Sequence, residues 1–169
     1  MKRNVPLAFI IPRHQLDASE VLLGIQEEWL LREDVINHLQ SLGFAEFHEE
    51  SEDETHFFSK LIERLKENLL LSESAKDARM TWLRILLAWI YENRLDFSDP
   101  FDLIEELYAD FGYPDEIHHL IRFNVPYPDS GAHDKEKSML RLTELWREYC
   151  DLHMGLPKSG TPEALEQTL

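Results

Sequence analysis

The sequence predicts an all-α fold, a single-domain bundle of about six to seven helices packed round one central apolar helix. Three observations carry this. First, Met80 to Tyr91, MTWLRILLAWIY, is apolar nearly all round, broken only by Thr81 and Arg84. A surface helix keeps a polar face for water, so this segment belongs inside a helical domain, and it is too short to span a bilayer. Second, the flanking segments repeat their apolar residues at helical spacing between capping residues and helix-stopping glycines. Third, no alternating run is long enough to build a sheet.

The elements follow in order. The N-terminal segment MKRNVPLAFIIPRHQ is a short strand or a strap; Pro6 and Pro12 bracket too short an apolar run for an export signal. Asp17 and Glu20 have capping-box spacing, and Val21, Leu22, Ile25 and Trp29 then mark one helical face on which Gly24 admits a close neighbour. Glu33 to Leu42 forms a second helix with Val35, Ile36 and Leu39 on one side and Gly43 as its stop. The two make a hairpin. After the acid run EESEDE, Thr55 to Leu70 is amphipathic through Phe58, Ile62, Leu65 and Leu69. Ser72 and Ser74 offer caps for the central helix. Ser98 or Asp99 caps a helix with Pro100 in its first turn and Gly112 at its end, and Pro114 opens another over YPDEIHHLIRF. The loop NVPYPDSGAHD leads to a last helix from about Lys135 to His153, whose apolar side is Leu140, Leu142, Leu145, Trp146 and Tyr149. Residues 1–154 make the domain, and 155–169, with little to bury, are expected to be a poorly ordered tail.

Composition narrows the function. The 169 residues are 43% hydrophobic and 11% aromatic, enough for a real core despite 30% charged residues. The single cysteine, Cys150, rules out an internal disulfide and fits a reducing cytoplasm. Following Trp146 and Tyr149 on an apparent helix, it reads as a buried structural thiol rather than a nucleophile. The net charge of −16 is concentrated. Between Arg32 and Lys60, and again between Arg94 and Arg122, there are eight acids and no Lys or Arg. These sixteen acids equal the entire excess. Zones of this kind repel nucleic acid and anionic membranes and attract a basic partner; the plainer alternative is solubilising surface.

Chemical motifs are sparse. There is no H-E-x-x-H, no G-x-S-x-G, no phosphate-binding glycine loop and no dinucleotide fingerprint. Asp53 with His56 and Asp115 with His118 share an i, i+3 spacing loosely like half of a carboxylate-bundle metal site, but such bundles use Glu there, so no metal and no cofactor are expected. His118 and His119 beside Asp115 and Glu116 could hold or move protons, or could simply face solvent. The clearest recognition chemistry lies on the helix from Asp99, where Asp102, Glu106 and Asp110 form an acidic ridge at i, i+4, i+8. With Glu105, Tyr108 and Tyr113, the ridge would receive Lys or Arg side chains of a partner, the tyrosines supplying buried contact. Glu49, Glu50, Glu52, Asp53 and Glu54 are a second candidate surface.

This region also carries a resemblance. EELYADFGYPDEI, from Glu105 to Ile117, looks like the most characteristic segment of a bacterial family of small helical domains of unknown function, with its Tyr-Ala-Asp-Phe stretch before a Tyr-Pro turn. LLGIQEEWLLREDVINH, from Leu22 to His38, is similar to that family's first helix, tryptophan and second helix, although Glu28 and Leu31 stand where a glycine and a serine are usual. The resemblance covers most of the chain and implies a grouping, by gene neighbourhood, with immunity proteins of bacterial toxin systems. It offers no catalytic residues. The expectation is therefore a cytoplasmic, non-catalytic protein that binds and neutralises a basic toxin domain. A helical adaptor with another basic partner is the alternative, and a His/carboxylate metalloenzyme is a third reading.

Overall fold

The computed structural model describes residues 4–41, 59–60, 63, 75–124 and 131–155, and among them every regular element is helical. They are α1 (Leu7–Ile10), α2 (Ala18–Gln26), α3 (Arg32–Ser41), α4 (Ala75–Glu92), α5 (Pro100–Asp110) and α6 (Gly131–Met154), with short 3-10 turns at Arg94–Asp96, Asp115–Leu120 and Arg122–Asn124. Ser59, Lys60 and Glu63, within the helix expected over Thr55 to Leu70, are helical. The acid run from Glu49 to Glu54, His56, the caps Ser72 and Ser74, and the tail from residue 156 lie outside the described residues.

The apolar helix is central, as expected, and α2, α5 and α6 all pack on α4. Trp82, Leu83, Ile85, Leu86, Leu87, Ala88 and Ile90 are wholly buried. On the α2 side, the Trp82 indole lies over Gly24 so closely that a Cβ there would sit 2.2 Å from Cζ2. Its Nε1–H donates to the Glu20 carbonyl at 2.7 Å, which satisfies the one polar atom of the ring in the core. On the α6 side, fully buried Trp146 meets Tyr91 edge-on at 5.1 Å and Phe101 at 5.6 Å. Arg84, two turns earlier on α4, faces residues later on α6, so the two helices run antiparallel.

The α2 capping box is present: the Asp17 side chain accepts from Glu20 N, and the Glu20 side chain accepts from Asp17 N. Four expectations need correction. Trp29 is not on the α2 face, because α2 ends at Gln26 and Glu28 adopts φ +57°. The chain doubles back, Trp29 N and Leu30 N both donate to Gly24 O, and Trp29 enters the core from this turn to stack on Phe111 at 5.5 Å. The N-terminal segment is neither a strand nor a plain strap: Val5 N bonds to Trp29 O and one helical turn follows. Leu140 is 61% exposed, so it does not belong to the apolar side of the last helix, which is built by Leu142, Trp146, Tyr149 and Cys150 and starts earlier, at Gly131. The segment after Pro114 is 3-10 rather than α. The six residues between Pro114 and the extended Ile121 close too few turns for an α-helix to gain by propagation.

Candidate functional site

Asp99 caps α5 through Oδ1, which accepts from Phe101 N at 2.9 Å, and Pro100 follows where a missing amide costs nothing. From this cap, Asp99, Asp102, Glu105 and Tyr108 recur every three residues, a row that winds back about 60° per step across the helix. The segment 115–124 crosses that row as a strap. Arg122 reaches three of the four: Nε and NH2 fork onto Glu105 at 2.7 and 3.0 Å, NH1 meets Asp99 Oδ2 at 2.8 Å, and NH2 also contacts Asp102. The hydrogen bonds it donates to Glu105 above all, and then to Asp102, hold the guanidinium protonated even more firmly than usual, against the opposing effect of burial. The fourth member, Tyr108, bonds through its hydroxyl to His118 Nδ1 at 2.8 Å, and Asn124 Nδ2 donates to the His118 carbonyl at 3.0 Å.

The predicted site residues therefore divide. Asp102 and Glu105 come together, on Arg122. Tyr108 and Tyr113 come together edge to face at 5.2 Å, with Tyr113 at φ +61° after Gly112 at φ +76° and its N–H donated to Tyr108 O. Glu106 and Asp110 are exposed on the outward side of α5. At about 100° per residue, Tyr108 is turned about 200° from Glu106, so the tyrosines and the outer ridge do not share one face. Arg79 of α4 secures the end of α5 by donating to the Asp110 carbonyl at 2.7 Å, a cation at the negative pole of the helix. Glu49, Glu50, Glu52, Asp53 and Glu54 are outside the described residues.

Beneath the strap lies a cluster that the sequence reading missed. Arg84, the one charge between Met80 and Tyr91, forks onto Glu116 at 2.8 and 2.9 Å, the Tyr149 hydroxyl donates to Glu116 Oε1 at 2.6 Å, and His153 Nε2 stands 3.8 Å from that oxygen. Hydrogen bonding from Arg84 holds the Glu116 carboxyl below its ordinary value, against the opposing effect of burial. Burial, and then Glu116, push the Tyr149 hydroxyl up. Desolvation and the Arg84 charge keep His153 below its ordinary value. The legible signal was Arg84 itself, since a cation on a buried helix needs a carboxylate partner. Glu116 thus faces inward to the core while its neighbours His118 and Arg122 face α5.

These contacts leave little acid–base or ligand chemistry open. Glu116 is engaged by Arg84 and Tyr149, and His118 faces Tyr108 and Asn124 rather than Asp115. Among the described residues no three His, Cys, Asp or Glu side chains are placed to hold a metal ion. Cys150 is buried, and burial pushes its thiol up, away from the thiolate a nucleophile needs. No described helix is long and apolar enough to cross a membrane. The model of a bacterial family, described as an uncharacterized protein conserved in bacteria (DUF2247), matches residues 7–153, and the chain belongs to that family. No curated protein and no solved structure matches it.

Proposed function

We propose that this family member is a non-catalytic, cytoplasmic binding domain that neutralises a bacterial toxin by docking a basic surface of the toxin on α5. The observation that supports it most is the outward face of that helix. Asp102, Glu106 and Asp110 are exposed there, at i, i+4, i+8, on a helix secured at its start by Arg122 and at its end by Arg79. Like charges in such a row oppose the helix slightly. Fixing them on a rigid scaffold gives a preorganised acidic surface that a cationic partner meets without further ordering cost.

The test has two parts. The tagged protein is used to capture partners from its native host at low and moderate salt, with mass spectrometry of what is retained. Recovery of a basic toxin domain at low salt supports the reading. Recovery of another basic protein moves it to an adaptor, and retention of nothing while the toxin is expressed removes it. The triple variant D102K/E106K/D110K should remain folded and lose the captured partner; undiminished capture would exclude this face.

A further inference from the structure

We infer that the exposed rings of Tyr113 and Phe123 are contact points for arginine side chains of the basic partner, whose guanidinium groups stack on them. This rests on the toxin-binding reading above and adds to it the aromatic part of the contact and the residue type it takes. Neither ring is placed by the needs of folding. Tyr113 is 65% exposed and Phe123 86%, so neither gains much from burial. Tyr113 also holds φ +61°, a left-handed backbone that a bulky side chain adopts at a cost and that glycine or asparagine adopts more readily. The preceding Gly112, at φ +76°, is the residue type such a turn ordinarily takes. An aromatic side chain kept exposed on strained backbone is one whose gain lies outside the folded chain.

The two rings belong to one connected tract. The Tyr113 ring meets Tyr108 edge-on at 5.2 Å, the Tyr108 hydroxyl bonds to His118 Nδ1 at 2.8 Å, and Asn124, next to Phe123, donates to the His118 carbonyl at 3.0 Å. The contact with Tyr108 holds Tyr113 in place before a partner arrives, so little side-chain freedom is lost on binding. Charge then selects the partner. Exposed Asp110 and Asp115 stand three residues before and two residues after Tyr113, and exposed Asp102 bonds to Arg122, the neighbour of Phe123. Arg122 is engaged by Asp99 and Glu105 as well, so the cation next to Phe123 does not cancel the negative field. A neutral apolar segment would match the rings and leave the acids unanswered. Arginine answers both, because its planar, weakly hydrated guanidinium stacks on an aromatic face and still pairs with a carboxylate, whereas a lysine ammonium gives up more hydration to do so.

The experiment uses the whole protein, hexa-arginine and hexa-lysine as probes, and the variant Tyr113→Asn with Phe123→Ser, which leaves every charge in place. Asparagine keeps the left-handed turn, so the urea midpoint of the variant should equal or exceed that of the wild type. Its affinity for hexa-arginine should fall about fivefold to tenfold, as expected for losing two exposed cation–π contacts, and its affinity for hexa-lysine less than about threefold. In wild-type NMR titrations, hexa-arginine should shift the Tyr113 and Phe123 ring resonances and leave the methyl resonances of exposed Leu140 and Leu152 on α6 still. A wild type that binds no hexa-arginine, a folded variant that binds it as tightly, or ring resonances that do not move overturn the inference. A clearly lowered midpoint also overturns it, by giving the rings a role in the fold, as does a wild-type dimer that the variant abolishes, which would seat a second copy on them. Glu106→Lys with Asp110→Lys tests the underlying reading separately. Hexa-arginine binding weakened by that change and indifferent to loss of the rings keeps the acidic face of α5 and removes the aromatic contacts. Binding weakened only by loss of the rings keeps the tract and removes that face, and binding indifferent to both removes both.

Discussion

At the scale of single residues, the tightest constraint is the one between Gly24 and Trp82. A methyl group at position 24 would lie 2.2 Å from Cζ2, 2.9 Å from Cε2 and 3.0 Å from Leu30 Cδ1. The indole cannot retreat, because it is wholly buried, 5.3 Å from the Trp29 ring and hydrogen-bonded to Glu20 O. Gly24→Ala gains a little helix propensity and loses much more to overpacking, so the net destabilisation should be about 1–3 kcal/mol. Urea unfolding followed by tryptophan fluorescence measures it, and an unchanged or raised midpoint would mean that α2 can slide on α4. Asp17→Ala removes acceptors from Glu20 N and Ser19 Oγ and should cost about 1 kcal/mol in the same assay. A loss well below that would show that Glu20 alone holds the start of α2.

At the scale of elements, the strap 115–124 is fixed on two sides, and its inner anchor titrates. Glu116 is lower in the folded protein than its ordinary 4.5, so the unfolded chain takes up the proton first; this stability is present above 4.5 and is lost as pH falls through the folded value. His153 is lower than its ordinary 6.5 in the folded state, so the unfolded chain again binds the proton first, and its contribution is lost as pH falls below 6.5. Both groups make acid destabilising, in separate windows. His153→Gln should flatten the stability profile as pH falls below 6.5 while leaving the loss below 4.5. A profile unchanged by that substitution would show that His153 does not titrate with folding. Glu116→Gln should flatten the lower window and lower stability by about 1–2 kcal/mol at pH 7, because Arg84 loses its charged acceptor. These elements also show what local sequence reports. The capping box at Asp17, the Asp99–Pro100 start and the buried face of α4 are written within a few residues and were legible. Arg122 on Asp99 and Arg84 on Glu116 join positions 23 and 32 apart, so an acidic run that looked unpaired along the chain is partly paired in space. The turn at Glu28 was hard to read for another reason: its left-handed backbone is taken by a glutamate, and only the glycine usual at that place in the resembling family hinted at it; the two amides that converge on Gly24 O hold it.

For the whole molecule, the question is whether the bundle opens as a unit, and Cys150 reports on it. The thiol lies on α6 with no exposed surface, one helical turn after Trp146, in the face that packs against α4. Burial disfavours its thiolate, so both access and chemistry protect it. Trp146 sits on the same helix face and contacts Tyr91 of α4 and Phe101 of α5, which ties α6 to both. Exposing Cys150 thus breaks contacts that belong to the main core, unlike the strap contacts made by Arg122 with Asp99, Asp102 and Glu105. A thiol reagent should therefore react at least about a thousandfold more slowly than with the unfolded chain, the margin set by the stability of a typical small domain. The rate should rise with urea along the same slope as tryptophan-monitored unfolding, since one opening event governs both. Faster labelling with little dependence on urea would mean that α6 detaches by itself, and that the α4–α6 interface is a separate unit from the α2–α4–α5 core. Arg122→Gln should leave this rate within severalfold of the wild type if the strap is peripheral to that core, which sets the cost of releasing the strap apart from the cost of opening the fold.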